Sequence, residues 1–173
     1  MAKEPDTSKD QLAFISLGSN LGDAPANIRR ALDRLQILSA RLVLRSSLWE
    51  TSPVDCPEGS PSFINAAAGL LPLPHETPES MLAKLQIMEK EAGRRSKKVV
   101  NEPRLLDLDL IVFGRETRNS PELVLPHPRA LLRMFVLLPL SEIAAELVLP
   151  GQEKPVEELL AKLRSGETLT RLP

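Results

Sequence analysis

Residues 106–113, LDLDLIVF, set two aspartates two positions apart in a run that is otherwise apolar. A strand projects residues i and i+2 from the same face. Asp107 and Asp109 therefore point together, with Leu106, Leu108 and Leu110 on the opposite face. Beyond them the aspartate face continues as Ile111 and Phe113, which puts one end of the strand in a core and the other at the mouth of a sheet. Two carboxylates this close raise one another's pKa unless a cation lies between them. An oxygen-only ligand set favours Mg²⁺, which commonly takes one or two carboxylates plus substrate phosphates. An Asp-x-Asp pair is common by chance, and a solvated sheet edge is the plain alternative. The alternate leucines and the apolar continuation speak against it.

The preceding segment sharpens that choice. Between Gly93 and Val100 the chain carries Arg94, Arg95, Lys97 and Lys98 with no acid, and Arg104 follows. On its own such a run reads as a solvated charged loop. Next to two carboxylates it suits metal–nucleotide chemistry, in which carboxylates hold Mg²⁺ on phosphate oxygens and guanidinium groups stabilise the transferring group. No Gly-x-x-x-x-Gly-Lys-Ser/Thr loop is present, so the site is not of the Walker type. Gly18-Ser19-Asn20 reads as a strand-ending turn.

Bulk properties exclude several classes. A chain of 173 residues with 42% hydrophobic and 26% charged residues suits one folded domain, here 12–173, after a polar leader, 1–11, expected to be disordered. A net charge of -1 gives no global field for nucleic acid or an anionic membrane. No apolar run approaches the roughly 18 residues of a membrane span. The single cysteine, Cys56, fits a reducing, cytoplasmic setting. The expectation is a cytoplasmic monomer.

Periodicity predicts a strand at 12–18, a helix at 26–38, an extended segment at 41–50 with Leu42, Leu44 and Leu48 on one face, and a functional loop at 51–62. A strand at 63–71 follows, then a helix from Pro78 capped by Thr77 and closed by Gly93. The aspartate strand comes next, then a short strand at 122–126, a buried helix containing Pro139, and an amphipathic helix at 156–166 capped by Gly166. The order β-α-β-β-α-β is that of an α+β, ferredoxin-like split β-α-β core, with an antiparallel sheet, helices packed on it and extra C-terminal elements.

Five blocks, in order, carry a resemblance: FISLGSNLGD, SSLWETSPV, FINAA, EAGRR…PRLLDLDLIVFG and LPHPRALLRMFVLLPLSEIAAELV. Together they span roughly residues 12 to 150, and the chain resembles the 6-hydroxymethyl-7,8-dihydropterin pyrophosphokinase family of folate biosynthesis. The resemblance implies transfer of pyrophosphate from ATP to the pterin hydroxymethyl group, releasing AMP. It implies two Mg²⁺ ions on Asp107 and Asp109, and catalytic assistance from Arg94 and Arg104. On the ATP side it implies Gln86, Lys97, His127 and Arg133. On the pterin side it implies Thr51, Pro53, Val54 and Asn65, with Phe63 and Phe135 as the two faces of an aromatic sandwich. Each has a plainer alternative, since an isolated phenylalanine is most often core. The chain departs from the family pattern at Asn101-Glu102, where many members carry Trp-Gly, and at Pro128, where a tyrosine is common. Two other readings stay open: a metal-dependent nucleotidyltransferase, and a non-catalytic ferredoxin-like nucleotide-binding module.

Overall fold

In a computed structural model, the chain is described over residues 9–53, 56–93 and 103–173. Lys9–Gln11, within the segment expected as leader, form a single 3₁₀ turn that leads into β1 (Ala13–Ser19). Then follow α1 (Ala24–Leu35), β2 (Leu44–Arg45), β3 (Trp49–Thr51), β4 (Phe63–Leu70), α2 (Pro78–Glu91) and β5 (Asp107–Phe113). A two-stranded ribbon of β6 (Arg118–Asn119) and β7 (Val124–Leu125) precedes α3 (Met134–Ala144), α4 (Val156–Lys162) and β8 (Leu169–Arg171).

Among the described residues the main sheet runs β5-β1-β4-β3-β8, with β2 pairing beside β3 on β4, and every pairing is antiparallel. With the first four strands of the motif taken as β1, β3, β4 and β5, this is the split β-α-β order, in which each helix crosses over an intervening strand. β8 extends it by one strand that the sequence pattern did not announce.

Local chemistry explains the helices. Asp23 accepts a hydrogen bond from the Ala26 N–H at 3.1 Å, and Pro25 fits the first turn of α1. Thr77 and Ser80 form a reciprocal capping box at the start of α2, and Gly93 follows its end at φ 101. The expected stop at Gly166 does not hold. α4 ends at Lys162 because Leu163 is already extended, which frees the chain to run back along the sheet as β8.

Ile28, Leu32 and Leu35 of α1, and Met81, Leu85 and Met88 of α2, pack with Ile15, Leu17, Leu108 and Leu110 in one core on one face. Truncating one of these fully buried leucines would cost about 2–5 kcal/mol. The other face is covered for only half its length. There α3, apolar nearly all round, lays Leu137 and Leu140 against Phe14, Ala67 and Val112.

Two details depart from the pattern-based reading. The β1–β5 register shifts between Phe14 and Ile15, so Ile111 is a bulge residue. The aspartate face therefore continues as Ile111 and Val112, while Phe113 turns to the helix face. In the 41–50 segment Val43 and Ser46 are buried; Leu42 and Leu44 are exposed, because β2 is only a two-residue edge strand and the alternation did not define its inward face.

Candidate active site

The uncovered half of the second sheet face is the floor of a cavity of about 300 Å³. Register places Asp107, Gly18 and Asn65 side by side across β5, β1 and β4, and Asp109 beside Ser16 in the row behind. The walls come from Thr51, Ser52 and Cys56 on one side, and from Arg129, Leu132, Arg133 and Phe135 at the start of α3 on the other. Arg104 closes the aspartate end, and Glu167 lines the wall as well.

Both aspartates are half-buried, as expected for a strand end that opens to solvent. Arg104 donates from Nη1 to Asp107 Oδ1 at 2.9 Å. Its backbone is fixed independently. The buried Asn20 accepts the Arg104 N–H on Oδ1 at 2.8 Å, and its own N–H donates to the Arg104 carbonyl at 3.1 Å. β5 is a sheet edge, and its outward Leu108 N–H finds the buried carboxylate of Glu89 on α2 at 2.7 Å. That bond anchors the residue between the two aspartates.

At the opposite end, the buried Asn65 donates from Nδ2 to Thr51 Oγ1 at 2.8 Å. This leaves its Oδ1 as an acceptor. Gly18 makes room for it, since a Cβ there would stand 3.2 Å from Asn65 Oδ1. Phe63 and Phe135 are only half-buried, and both line the cavity. The Arg133 guanidinium lies 5.4 Å from the Phe135 ring centroid. Burial, and then the charge of Arg129, lowers the Arg133 pKa, while Asp109 and Asp107 oppose that shift.

His127 stands beside the cavity rather than on its wall. Its N–H donates to the carbonyl of the bulged Ile111 at 2.8 Å, and its Nδ1 accepts the Arg129 N–H at 3.2 Å. Burial, then Arg133 and Arg129, hold its pKa below the ordinary value, with Asp107 pulling the other way. Gln86 is exposed on α2, across the sheet from the cavity, and Pro53 is exposed and outside the lining. Arg94, Lys97 and Val54 lie outside the described residues.

The cavity lining thus combines two carboxylates, three guanidinium groups and two phenylalanine rings. Residues 14–145 match the family described as 7,8-dihydro-6-hydroxymethylpterin-pyrophosphokinase. The chain belongs to that family. A Pseudomonas aeruginosa protein named 2-amino-4-hydroxy-6-hydroxymethyldihydropteridine pyrophosphokinase is 38% identical over 165 residues, covering 94% of this chain and 98% of that protein. The folic acid synthesis protein fol1 of Pneumocystis carinii is 39% identical over 172 residues, and there the chain spans only 23% of the relative. A solved wild-type HPPK-DHPS of Plasmodium falciparum with pteroate superposes with a TM-score of 0.70 at 14% identity, covering 87% of this chain and 44% of that one. At that identity the likeness establishes the fold, and it agrees with the ferredoxin-like order of strands.

Sequence patterns assigned no site role to Ser16, Gly18, Arg129 and Glu167, nor to the supporting Asn20 and Glu89. Gly18-Ser19-Asn20 did carry a signal, a small-polar triplet ending a buried strand. Nothing local marks Glu167.

Proposed function

We propose that the chain transfers pyrophosphate from ATP to the hydroxymethyl group of 6-hydroxymethyl-7,8-dihydropterin, releasing AMP, in folate biosynthesis. The observation that carries this reading is the division of a single cavity into a carboxylate–guanidinium end and a two-ring end with a buried asparagine. A triphosphate suits the first and a flat, polar-edged bicycle the second.

The donor set fits magnesium. Asp107 and Asp109 offer oxygen only, and among the described residues no group of three or more His, Cys, Asp or Glu could enclose a metal without substrate. Mg²⁺ prefers such partial protein ligation completed by phosphates and water. Asp107 and Asp109 would hold two ions, whose chemistry would be to neutralise charge on the triphosphate.

The protein's own share is positioning and electrostatics. Phe63 and Phe135 clamp the ring, while Asn65 and Thr51 read its polar edge. The hydroxymethyl oxygen is thereby aimed at the β-phosphorus. A new O–P bond forms there, the bond from the β-phosphorus to the α–β bridging oxygen breaks, AMP departs with that oxygen, and the hydroxyl proton is released. Arg104, held at side chain by Asp107 and at backbone by Asn20, places its positive charge beside the transferring group. Arg129 and Arg133 line the cavity and suit phosphate oxygens, with His127 beside them; Arg94 and Lys97 complete the basic loop in this reading.

The test is AMP formation from ATP and Mg²⁺ with and without the pterin. Pterin-dependent AMP is expected. Release of pyrophosphate instead of AMP would turn the assignment toward a nucleotidyltransferase.

A further inference from the structure

Buried polar side chains in this protein are bonded, with one exception. Among the described residues, Ser19, Asn20, Ser46, Thr51, Asn65 and Glu89 are buried, and each makes a side-chain hydrogen bond. Ser16 is as enclosed as Ser46, at 8% exposure, yet no hydrogen bond from the described residues reaches its hydroxyl. A hydroxyl held away from bulk water without a partner costs free energy until something supplies one.

That hydroxyl is aimed at the cavity. Period two along β1 sends Ile15 and Leu17 to the helix core and Phe14, Ser16 and Gly18 to the other face. Phe14 lies under α3, whereas Ser16 and Gly18 line the cavity. Among the described residues, the enclosed side-chain oxygen without a partner is Oε2 of Glu167. The Ser16 oxygen is not closed off in that way and opens on the cavity floor.

Its place on the floor is between the groups assigned to the two substrates. β1 runs between β5 and β4, and Ser16 pairs with Asp109 on one side and Ala67 on the other. Directly opposed residues of an antiparallel pair hold their Cβ atoms about 4.5–5.5 Å apart, so the hydroxyl and the Asp109 carboxylate share one small volume. Two residues along β1, the Phe63 ring comes within 3.8 Å of the point where a Cβ on Gly18 would stand. A ring held by Phe63, Asn65 and Phe135, with its substituent directed toward Asp109, carries that substituent across β1. There Gly18 offers no side chain and Ser16 offers a hydroxyl.

We propose that Ser16 Oγ accepts a hydrogen bond from the hydroxymethyl O–H of the pterin and so fixes the rotation of that group. This rests on the pterin reading of the cavity and deepens it by naming a residue that recognises the reacting substituent rather than the ring. With its proton turned toward β1, the substrate oxygen keeps its lone pairs for phosphorus; Ser16 itself forms no bond in the transfer.

The experiment is equilibrium binding by calorimetry to the full chain, wild type and Ser16→Ala. The probes are 6-hydroxymethyl-7,8-dihydropterin and 6-methyl-7,8-dihydropterin, each with a non-hydrolysable ATP analogue and Mg²⁺ present, and the analogue with Mg²⁺ alone. The wild type's preference for the hydroxymethyl over the methyl compound should shrink by about 2- to 12-fold in Ser16→Ala, the value of one neutral hydrogen bond. Affinity for the methyl compound and for the ATP analogue should stay essentially unchanged. An equal preference in the two proteins overturns the assignment. Equal weakening of both pteridines overturns it as well, since Ser16 would then touch the ring, and so does weakening confined to the ATP analogue. Should Ser16→Ala fail to fold by circular dichroism, Ser16→Cys, a much poorer hydrogen-bonding group of similar size, carries the same expectation. A wild type that binds the ATP analogue but neither pteridine would sink the substrate reading itself, which separates that failure from this one.

Discussion

Asn20 is the residue on which the catalytic end turns, and Asn20→Ala tests that directly. Its Oδ1 accepts the Arg104 N–H at 2.8 Å, while its Nδ2 reaches the Pro61 carbonyl at 3.4 Å, long enough to add little. The substitution removes one well-formed bond and leaves the Arg104 N–H without its acceptor in a part-buried place. That loss is about 1–3 kcal/mol. For a domain of this size each kcal/mol moves Tm by about 2–4 °C, so a fall of roughly 2–12 °C is expected in ligand-free thermal melts. Asn20→Asp keeps the acceptor and deletes only the weak donor, so it should retain most of the stability. Turnover should fall further than stability suggests, because the Arg104 guanidinium on Asp107 is held by the same backbone. A shift of about 1 Å in a positioning group can cost on the order of 100-fold in rate. AMP release at saturating substrates, measured beside the melts, reads both effects. An alanine variant with wild-type Tm and kcat would refute the reasoning, and so would an aspartate variant as impaired as alanine.

Four further outcomes follow from the same geometry. Asp107→Ala or Asp109→Ala should abolish AMP release with little change in Tm, since both side chains are half-exposed at a strand end; near-wild-type turnover would undo the metal assignment. Phe135→Ala should weaken pterin binding while sparing ATP, and unchanged affinity by calorimetry would count against the sandwich. Gly18→Ala places a Cβ 3.2 Å from Asn65 Oδ1, so pterin KM should rise with Tm nearly constant; equal KM would mean that Asn65 does not touch the ring. His127 has a folded pKa below its ordinary 6.5, so the unfolded chain takes the proton more readily. Its contribution to stability is complete above about pH 6.5 and is lost as pH falls through and below it. His127→Gln should flatten that part of the stability–pH curve, and an unchanged slope would contradict the burial argument.

Legibility differed according to how far each feature reaches along the chain. Thr77, Gly93 and the Ile28-Leu32-Leu35 stripe act within a turn or two, and there the expected elements match the structure. The aspartate strand was readable for the same reason, because period two places Asp107 with Asp109 whatever surrounds them. Leu42 and Leu44 misled because a two-residue edge strand has no partner on its outer side to define a buried face. The bulge at Ile111 has no signature of its own; it is a register choice between β1 and β5, and it sends Val112 rather than Phe113 to α3. β8 and Glu167 were illegible because they depend on α4 stopping at Lys162, where the amphipathic pattern runs on to Gly166.

The position of the cavity follows from three rows across β5, β1 and β4. Val112, Phe14 and Gly69 form one row, Asp109, Ser16 and Ala67 the next, and Asp107, Gly18 and Asn65 the last. The first is apolar and α3 covers it. The last carries a carboxylate, a bare backbone and an amide, which no apolar helix could cover without burying unpaired polar groups. α3 stops short of it, and Arg133 and Phe135 at its leading end become wall rather than core. Pro139 denies α3 one backbone donor in its interior and is itself buried. The open half of the sheet is thus a consequence of where polar residues fall on three strands. The substrate site is the surface that the core could not use.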